Sequence, residues 1–223
     1  MYFSNKTIFY HDIEYKSDSY DYQYFLNLNL HLPDKSDSWA SKRKRDYLVG
    51  RFCAREAFKQ VSVFDTSHFQ LIKNEDGTSN WPTGFCGSIT HTKDYACAVI
   101  AQSNKILSIG IDCEYKIKDK TFQRVKKSIA SDSEINIVNK FTQDEQLALT
   151  LIFSAKESVY KAVFPLVKTF FYFEAFQIDT INQNYIEGFL TKDLNQNFSM
   201  GKKVKIQYKI TNQRVNTLVL ITS

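Results

Sequence analysis

The chain has few residues that break or bend a backbone: 7 glycines and 3 prolines in 223 positions. That excludes collagen-like and linker-rich architectures and makes each glycine informative. Apolar runs fall far short of the roughly 18 residues that cross a bilayer, so no membrane span is expected. Cysteine is also scarce. Cys53, Cys86, Cys97 and Cys113 show neither C-x-x-C nor zinc-ligand spacing, which predicts buried free thiols in a reducing cytosol. The phosphate-cradling patterns G-x-x-x-x-G-K-[ST] and G-x-G-x-x-G are missing, as are low-complexity tracts and recognisable repeats. The residues from Met1 to Lys6 lack the basic start and apolar stretch of a signal peptide, so a cytoplasmic chain is expected.

What is present suffices for a packed core: 43 % hydrophobic and 15 % aromatic residues exclude a disordered chain. The length fits one large domain or two small ones. A net charge of +5 and a pI of about 8.8 favour an anionic partner: nucleic acid, a phosphorylated small molecule or an acidic protein.

The first 24 residues predict a strand and a loop. Strict Leu/Asn alternation over 26–32 predicts a strand with one buried face. A helix is predicted over 41–60, its apolar side drawn from Tyr47, Leu48, Phe52, Ala54, Ala57 and Phe58. At about 100° per residue, Lys44, Arg51 and Arg55 fall within about 20° of one another, with Arg43 and Arg45 in the first turn. Cations at a helix start are electrostatically awkward unless an anion binds there; the alternative is a solvated basic face. Residues 61–72 read as a linker and strand, and 73–80 as a turn around Asp76-Gly77. Over 81–92, Gly84, Gly87, Ser88, Thr90 and His91 precede an apolar strand at 95–101. They form either a pocket of backbone N–H groups for phosphate or an ordinary loop with a hairpin turn at 92–94.

The strand predicted over 106–114 places Ile109, Ile111 and Cys113 on one face and Gly110, Asp112 and Glu114 on the other. The carboxylates lie about 6–7 Å apart at the backbone. Their repulsion is on the order of 2–3 kcal/mol at an effective dielectric of about 20. Either water screens it, or a hard divalent cation such as Mg²⁺ turns it into binding, with Gly110 leaving room for a substrate. A basic amphipathic helix over 115–127 and a mobile stretch over 128–133 follow, then a helix or loop over 142–151. Ser154 and Glu157 have the spacing of a capping box and predict a helix start, with Phe164-Pro165 ending that helix. Glu157 and Lys161 read as either an exposed ion pair or part of a site. The remainder predicts strands over 171–173, 175–181, 185–190, 204–210 and 217–222.

Taken together, Gly110-Ile111-Asp112-Cys113-Glu114 and Phe153-Ser154-Ala155-Lys156-Glu157-Ser158 with Lys161 resemble the G-x-D-x-E and [FW]-S-x-K-E-[AS]-x-x-K signatures of the 4'-phosphopantetheinyl transferases. The resemblance is to the long bacterial type that activates siderophore, peptide and polyketide synthetases. Tyr47 to Arg55, Trp81-Pro82-x-Gly84 and Gly87-Ser88-Ile89-Thr90-His91 extend it from about residue 32 to 176. Thr90 stands where many members carry Ser and keeps the hydroxyl.

The resemblance implies an α+β fold of two similar α+β halves, packed pseudo-symmetrically with the coenzyme between them; we place the boundary at 1–104 and 105–223. It implies Mg²⁺-dependent transfer of 4'-phosphopantetheine from coenzyme A to a serine of an acidic acyl or peptidyl carrier protein, with release of 3',5'-ADP. Asp112, Glu114 and Glu157 would hold the metal, and Glu157 would also be the base. Arg43, Arg51, Lys73 and His91 would grip coenzyme A phosphates, with Ser88 and Thr90 nearby. Lys156 and Lys161 would steady the phosphates and the leaving group. A cytoplasmic monomer, with neither nucleic acid nor membrane as partner, completes the expectation. The rival readings are a basic nucleic-acid binder, motivated by charge and by 18 Phe, 13 Tyr and 2 Trp, and a member that binds carrier protein without transfer.

Overall fold

Apolar alternation and two long helices divide the chain into two compact units, Met1–Leu107 and Ser108–Ser223. The computed structural model describes residues 7–15, 20–61, 64–211 and 214–222. In the first unit β1 (Ile8–Glu14) and α1 (Tyr22–Asn27) precede the 18-residue α2 (Ser41–Phe58), and β2 (Phe85–His91) and β3 (Tyr95–Gln102) follow. The three strands form an antiparallel sheet in the order β1-β3-β2. β3 is central and buried from Tyr95 to Ala101, which explains its unbroken apolar run. Leu48, Ala54, Ala57 and Phe58 of α2 share a core with Ala96, Ala98 and Ile100 of β3.

Three expectations fail in this unit. Residues 26–32 are not a strand: α1 runs to Asn27, capped by the Asp21 side chain, and Asn29 closes it with φ 58°. The alternation does mark an inward face: Leu30 is buried and Leu26, Leu28 and Leu32 pack half-buried against the same core, while Asn27, Asn29 and His31 are exposed. In place of the strand expected within 61–72 the chain is irregular, although Phe69 and Leu71 are both buried. Most of the Gly/Ser/Thr/His stretch is β2 rather than a loop, joined to β3 by a turn in which Thr92 N–H donates to the Tyr95 carbonyl. The strand expected in the first 24 residues is β1; residues 1–6 and 16–19 lie outside the described ones.

The second unit holds most of β4 (Ile106–Tyr115), then α3 (Asp119–Ile129), α4 (Asp132–Thr142), the 23-residue α5 (Glu145–Val167), β5 (Phe176–Ile181), β6 (Tyr185–Leu190), β7 (Lys203–Ile210) and β8 (Arg214–Thr222). Its sheet runs β4-β8-β7-β6-β5, and α5 packs on β8. Each unit thus lays a long helix on a sheet, the α+β class expected. No helix among the described residues is long and apolar enough to cross a membrane.

Ser154 does not begin a helix. α5 starts ten residues earlier, where the Asp144 side chain accepts from Leu147 N–H at 3.0 Å. Ser154 is fully buried in mid-helix, its Oγ 2.9 Å from Thr217 Oγ1 on β8. The capping box that does form uses the same spacing upstream: Ser131 and Glu134 cap α4, within the stretch expected to be mobile. Pro165 does not stop α5 either; it sits in the last turn, and the helix closes at Lys168 with φ 54°. In place of a strand over 171–173 there is a 3₁₀ turn, Phe173–Ala175.

Candidate active site

β4 and α5 carry the acidic centre, and a glycine sets how closely they meet. A Cβ built on Gly110 would lie 1.8 Å from the Ser158 carbonyl oxygen and 2.6 Å from Ala162 N. The space Gly110 leaves is therefore filled by the α5 backbone, not by a substrate as expected from sequence. The contact brings the outer face of β4 against the turn of α5 that bears Glu157 and Lys161. The Lys161 ammonium donates to Asp112 Oδ1 at 2.7 Å and to the Ile111 carbonyl at 3.1 Å. It is not the exposed partner of Glu157 that the helical spacing offered.

Asp112 is buried, and Glu114 and Glu157 are half-buried. Burial, the Asp112 charge and the Glu157 charge push the Glu114 carboxyl up to about 7, against the opposing pull of Lys161. Burial and Asp112 likewise raise Glu157, with Lys161 pulling it down. The three acids therefore lie within electrostatic reach of one another. Among the described residues, no group of three or more His, Cys, Asp or Glu side chains is gathered tightly enough to hold a metal as it stands.

The raised Glu114 has a measurable consequence. Its proton is bound more tightly in the folded chain, so its contribution to stability is complete below pH 4.5 and is lost as pH rises through about 7. In EDTA, the melting temperature of the wild type is expected to fall between pH 5 and 8 by roughly 2–4 °C more than that of Glu114→Gln. Parallel pH profiles for the two proteins would refute the shift.

A cationic group forms in the first unit. Burial lowers the Lys73 pKa, and the nearby Arg51 and Arg43 charges lower it further, so the three cations share a locality. No carboxylate among the described residues pairs with any of them. Arg51 is buried against the Tyr47 ring and donates from Nε to the Leu71 carbonyl at 3.2 Å, while its Nη2 is buried without a hydrogen-bond partner. A buried guanidinium nitrogen with spare donors costs free energy unless an anion accepts from it. Arg55 leaves this group: it donates to the Leu28 carbonyl at 2.6 Å and pairs with Glu56.

Ser88 and Thr90 are buried on one face of β2, and strand alternation puts Gly87, Ile89 and His91 on the other. Gly87 meets the Trp81 ring rather than open space. The single cradle read from this stretch is therefore divided between two faces.

Lys156 does not join the acidic centre. It is 3 % exposed, its ammonium 2.8 Å from Glu134 Oε1 and 3.0 Å from the Ile129 carbonyl. Glu134 also accepts from Ile178 N–H and Ser131 N–H. A side chain held this way ties α3, α4, α5 and β5 together and commits two of its three ammonium protons within the second unit. Glu134 is the residue that sequence reasoning passed over, although the Ser131-x-x-Glu134 spacing was in view.

Residues 36–101 match the model of the 4'-phosphopantetheinyl transferase N-terminal domain, and residues 108–214 match that of the 4'-phosphopantetheinyl transferase superfamily. The chain is 32 % identical over 176 residues to enterobactin synthase component D of Salmonella typhi, covering 79 % of this chain and 70 % of that protein. It is 32 % identical over 134 residues to 4'-phosphopantetheinyl transferase PptT of Mycobacterium tuberculosis, covering 60 % and 57 %. Against 4'-phosphopantetheinyl transferase Npt of Nocardia iowensis it is 35 % identical over 145 residues, covering 65 % and 61 %.

Proposed function

The chain belongs to the 4'-phosphopantetheinyl transferase superfamily, and from that premise we propose that it transfers 4'-phosphopantetheine from coenzyme A to a serine of an acyl or peptidyl carrier protein. The serine Oγ attacks the pyrophosphate phosphorus nearest the pantetheine. The new P–O bond forms as the bond to 3',5'-ADP breaks, the leaving phosphate keeps the electron pair, and the serine proton passes to a base.

The observation that carries this reading is the meeting of Asp112, Glu114, Glu157 and Lys161 where β4 packs on α5. An all-oxygen set of acids that repel one another fits the donor preference of a hard divalent cation. Asp112, Glu114 and Glu157 would hold Mg²⁺, which neutralises charge on the pyrophosphate and on the departing ADP when bound. Glu157 is the base for the serine, directly or through water; burial raises its pKa toward the range where general bases work well. Lys161 steadies the phosphates. In the first unit Arg43, Arg51 and Lys73 bind coenzyme A phosphates, with Ser88, Thr90 and His91 contributing from β2. Four cysteines that are all thiols support a reducing, cytoplasmic setting, and the net charge of +5 suits an acidic carrier. The chain acts as a monomer in this reading.

The test is to incubate the protein with an apo carrier protein, coenzyme A and Mg²⁺ and to weigh the carrier. A gain of one phosphopantetheine mass is expected, lost in EDTA; several acidic carriers unchanged in mass would overturn the assignment. For the phosphate site, Arg51→Met keeps the aliphatic stem and removes the guanidinium. We expect coenzyme A to bind about tenfold more weakly by calorimetry, equivalent to ~1.4 kcal/mol. Unchanged affinity in a folded variant would make Arg51 a packing residue only.

A further inference from the structure

The contact of Lys161 with Asp112 assigns the lysine a task before any substrate arrives. Asp112 has a side chain only 5 % exposed, and a carboxylate that deep needs a neutralising partner. The Lys161 ammonium supplies one, 2.7 Å from Oδ1, and is anchored to the same strand by its bond to the Ile111 carbonyl. It reaches β4 from one helical turn beyond Glu157, and so stands beside both the strand acids and the helix acid. Lys156 cannot substitute for it, being enclosed by Glu134 and the Ile129 carbonyl. The Lys161 side chain is itself 29 % exposed, which leaves the ammonium a path to water once displaced.

We infer that Lys161 is a tethered stand-in cation: it occupies Asp112 in the metal-free protein and must yield that carboxylate when a divalent ion binds. The inference rests on the metal reading proposed above. An ammonium hydrogen-bonded to Asp112 Oδ1 offsets the charge of one acid, whereas a divalent ion would draw on all three. The lysine then becomes available to an incoming phosphate as the metal takes its place, so one side chain serves the empty and the loaded site in turn.

The prediction runs against the usual effect of mutating an active-site residue. Lys161→Met removes the competing cation, and Mn²⁺, titrated by electron paramagnetic resonance without coenzyme A or carrier, is expected to bind about tenfold more tightly than to the wild type. The metal-free variant is expected to melt lower than the wild type and to gain more from added Mg²⁺. Equal or weaker Mn²⁺ binding by the folded variant overturns the stand-in role. Absence of Mn²⁺ binding by both proteins defeats the metal reading itself, an outcome distinct from equal binding by both. Should the variant fail to fold, the ¹⁵N resonance of the Lys161 ammonium in the wild type decides. It is expected to move on addition of Mg²⁺, and an unmoved signal once Mg²⁺ has bound overturns the inference.

Discussion

Gly110→Ala is expected to destabilise the second unit by about 3 kcal/mol or more, measured as a lower urea midpoint at unchanged slope. The new Cβ would lie 1.8 Å from the Ser158 carbonyl oxygen and 2.6 Å from Ala162 N. Both are backbone atoms in the middle of α5, so neither can turn aside as a flexible side chain would. The helix must lift off β4, or β4 must bend at its most buried stretch, where Ile109 and Ile111 are at most 1 % exposed. Either movement also carries Lys161 away from Asp112, so Mn²⁺ affinity and transfer should change together with stability. Gly201 offers a control for the effect of mutation itself, since a Cβ there meets nothing within 4 Å, although its φ of 83° adds modest strain of its own. A Gly110→Ala variant within 0.5 kcal/mol of the wild type by the same urea measurement, the usual scatter of surface substitutions, would mean that the helix approach is looser than described.

Glu157→Gln is expected to lower the transfer rate by about 10²–10⁴-fold while leaving the fold intact, because it removes a general base and a metal donor at one position. Glu157 is half-buried, so an isosteric amide should be accommodated with little change in melting temperature. The informative comparison is with Glu114→Gln, which keeps the base and loses only a carboxylate of the metal set. A rate for Glu157→Gln no lower than for Glu114→Gln would remove Glu157 as base and leave it a ligand. Circular dichroism matching the wild type is needed alongside the kinetics, since α5 also carries the core residues Leu151, Ile152, Ala155 and Val159.

Family and class were readable before any coordinates, as was the placing of the acids on their elements, because these depend on short-range order. Asp112 and Glu114 share a face of β4 through the two-residue repeat of any strand, and Glu157 and Lys161 neighbour each other through the pitch of any helix. The extent of α2, predicted over 41–60 and observed at Ser41–Phe58, rests on the same kind of signal. The readings that failed used equally good local patterns. Leu/Asn alternation over 26–32 turns its leucines toward the core, yet the chain there is the end of α1 and irregular backbone, not a strand. The spacing from Ser154 to Glu157 matched a capping box, yet Asp144 takes that office and Ser154 is turned to Thr217, 63 residues away.

From the sequence alone came which residue types the chain could bring to a phosphate and a metal, and in what order along it, since periodicity and motif spacing are properties of neighbours. Only the tertiary structure decided which of them were still available. It enclosed Lys156 with Glu134, set Lys161 on Asp112, gave the space beside Gly110 to a helix backbone, and left a buried nitrogen of Arg51 without a partner. The physical reason is that a charged side chain removed from water takes the nearest satisfactory partner, and nearness in a folded chain is set by packing between elements that are distant in sequence.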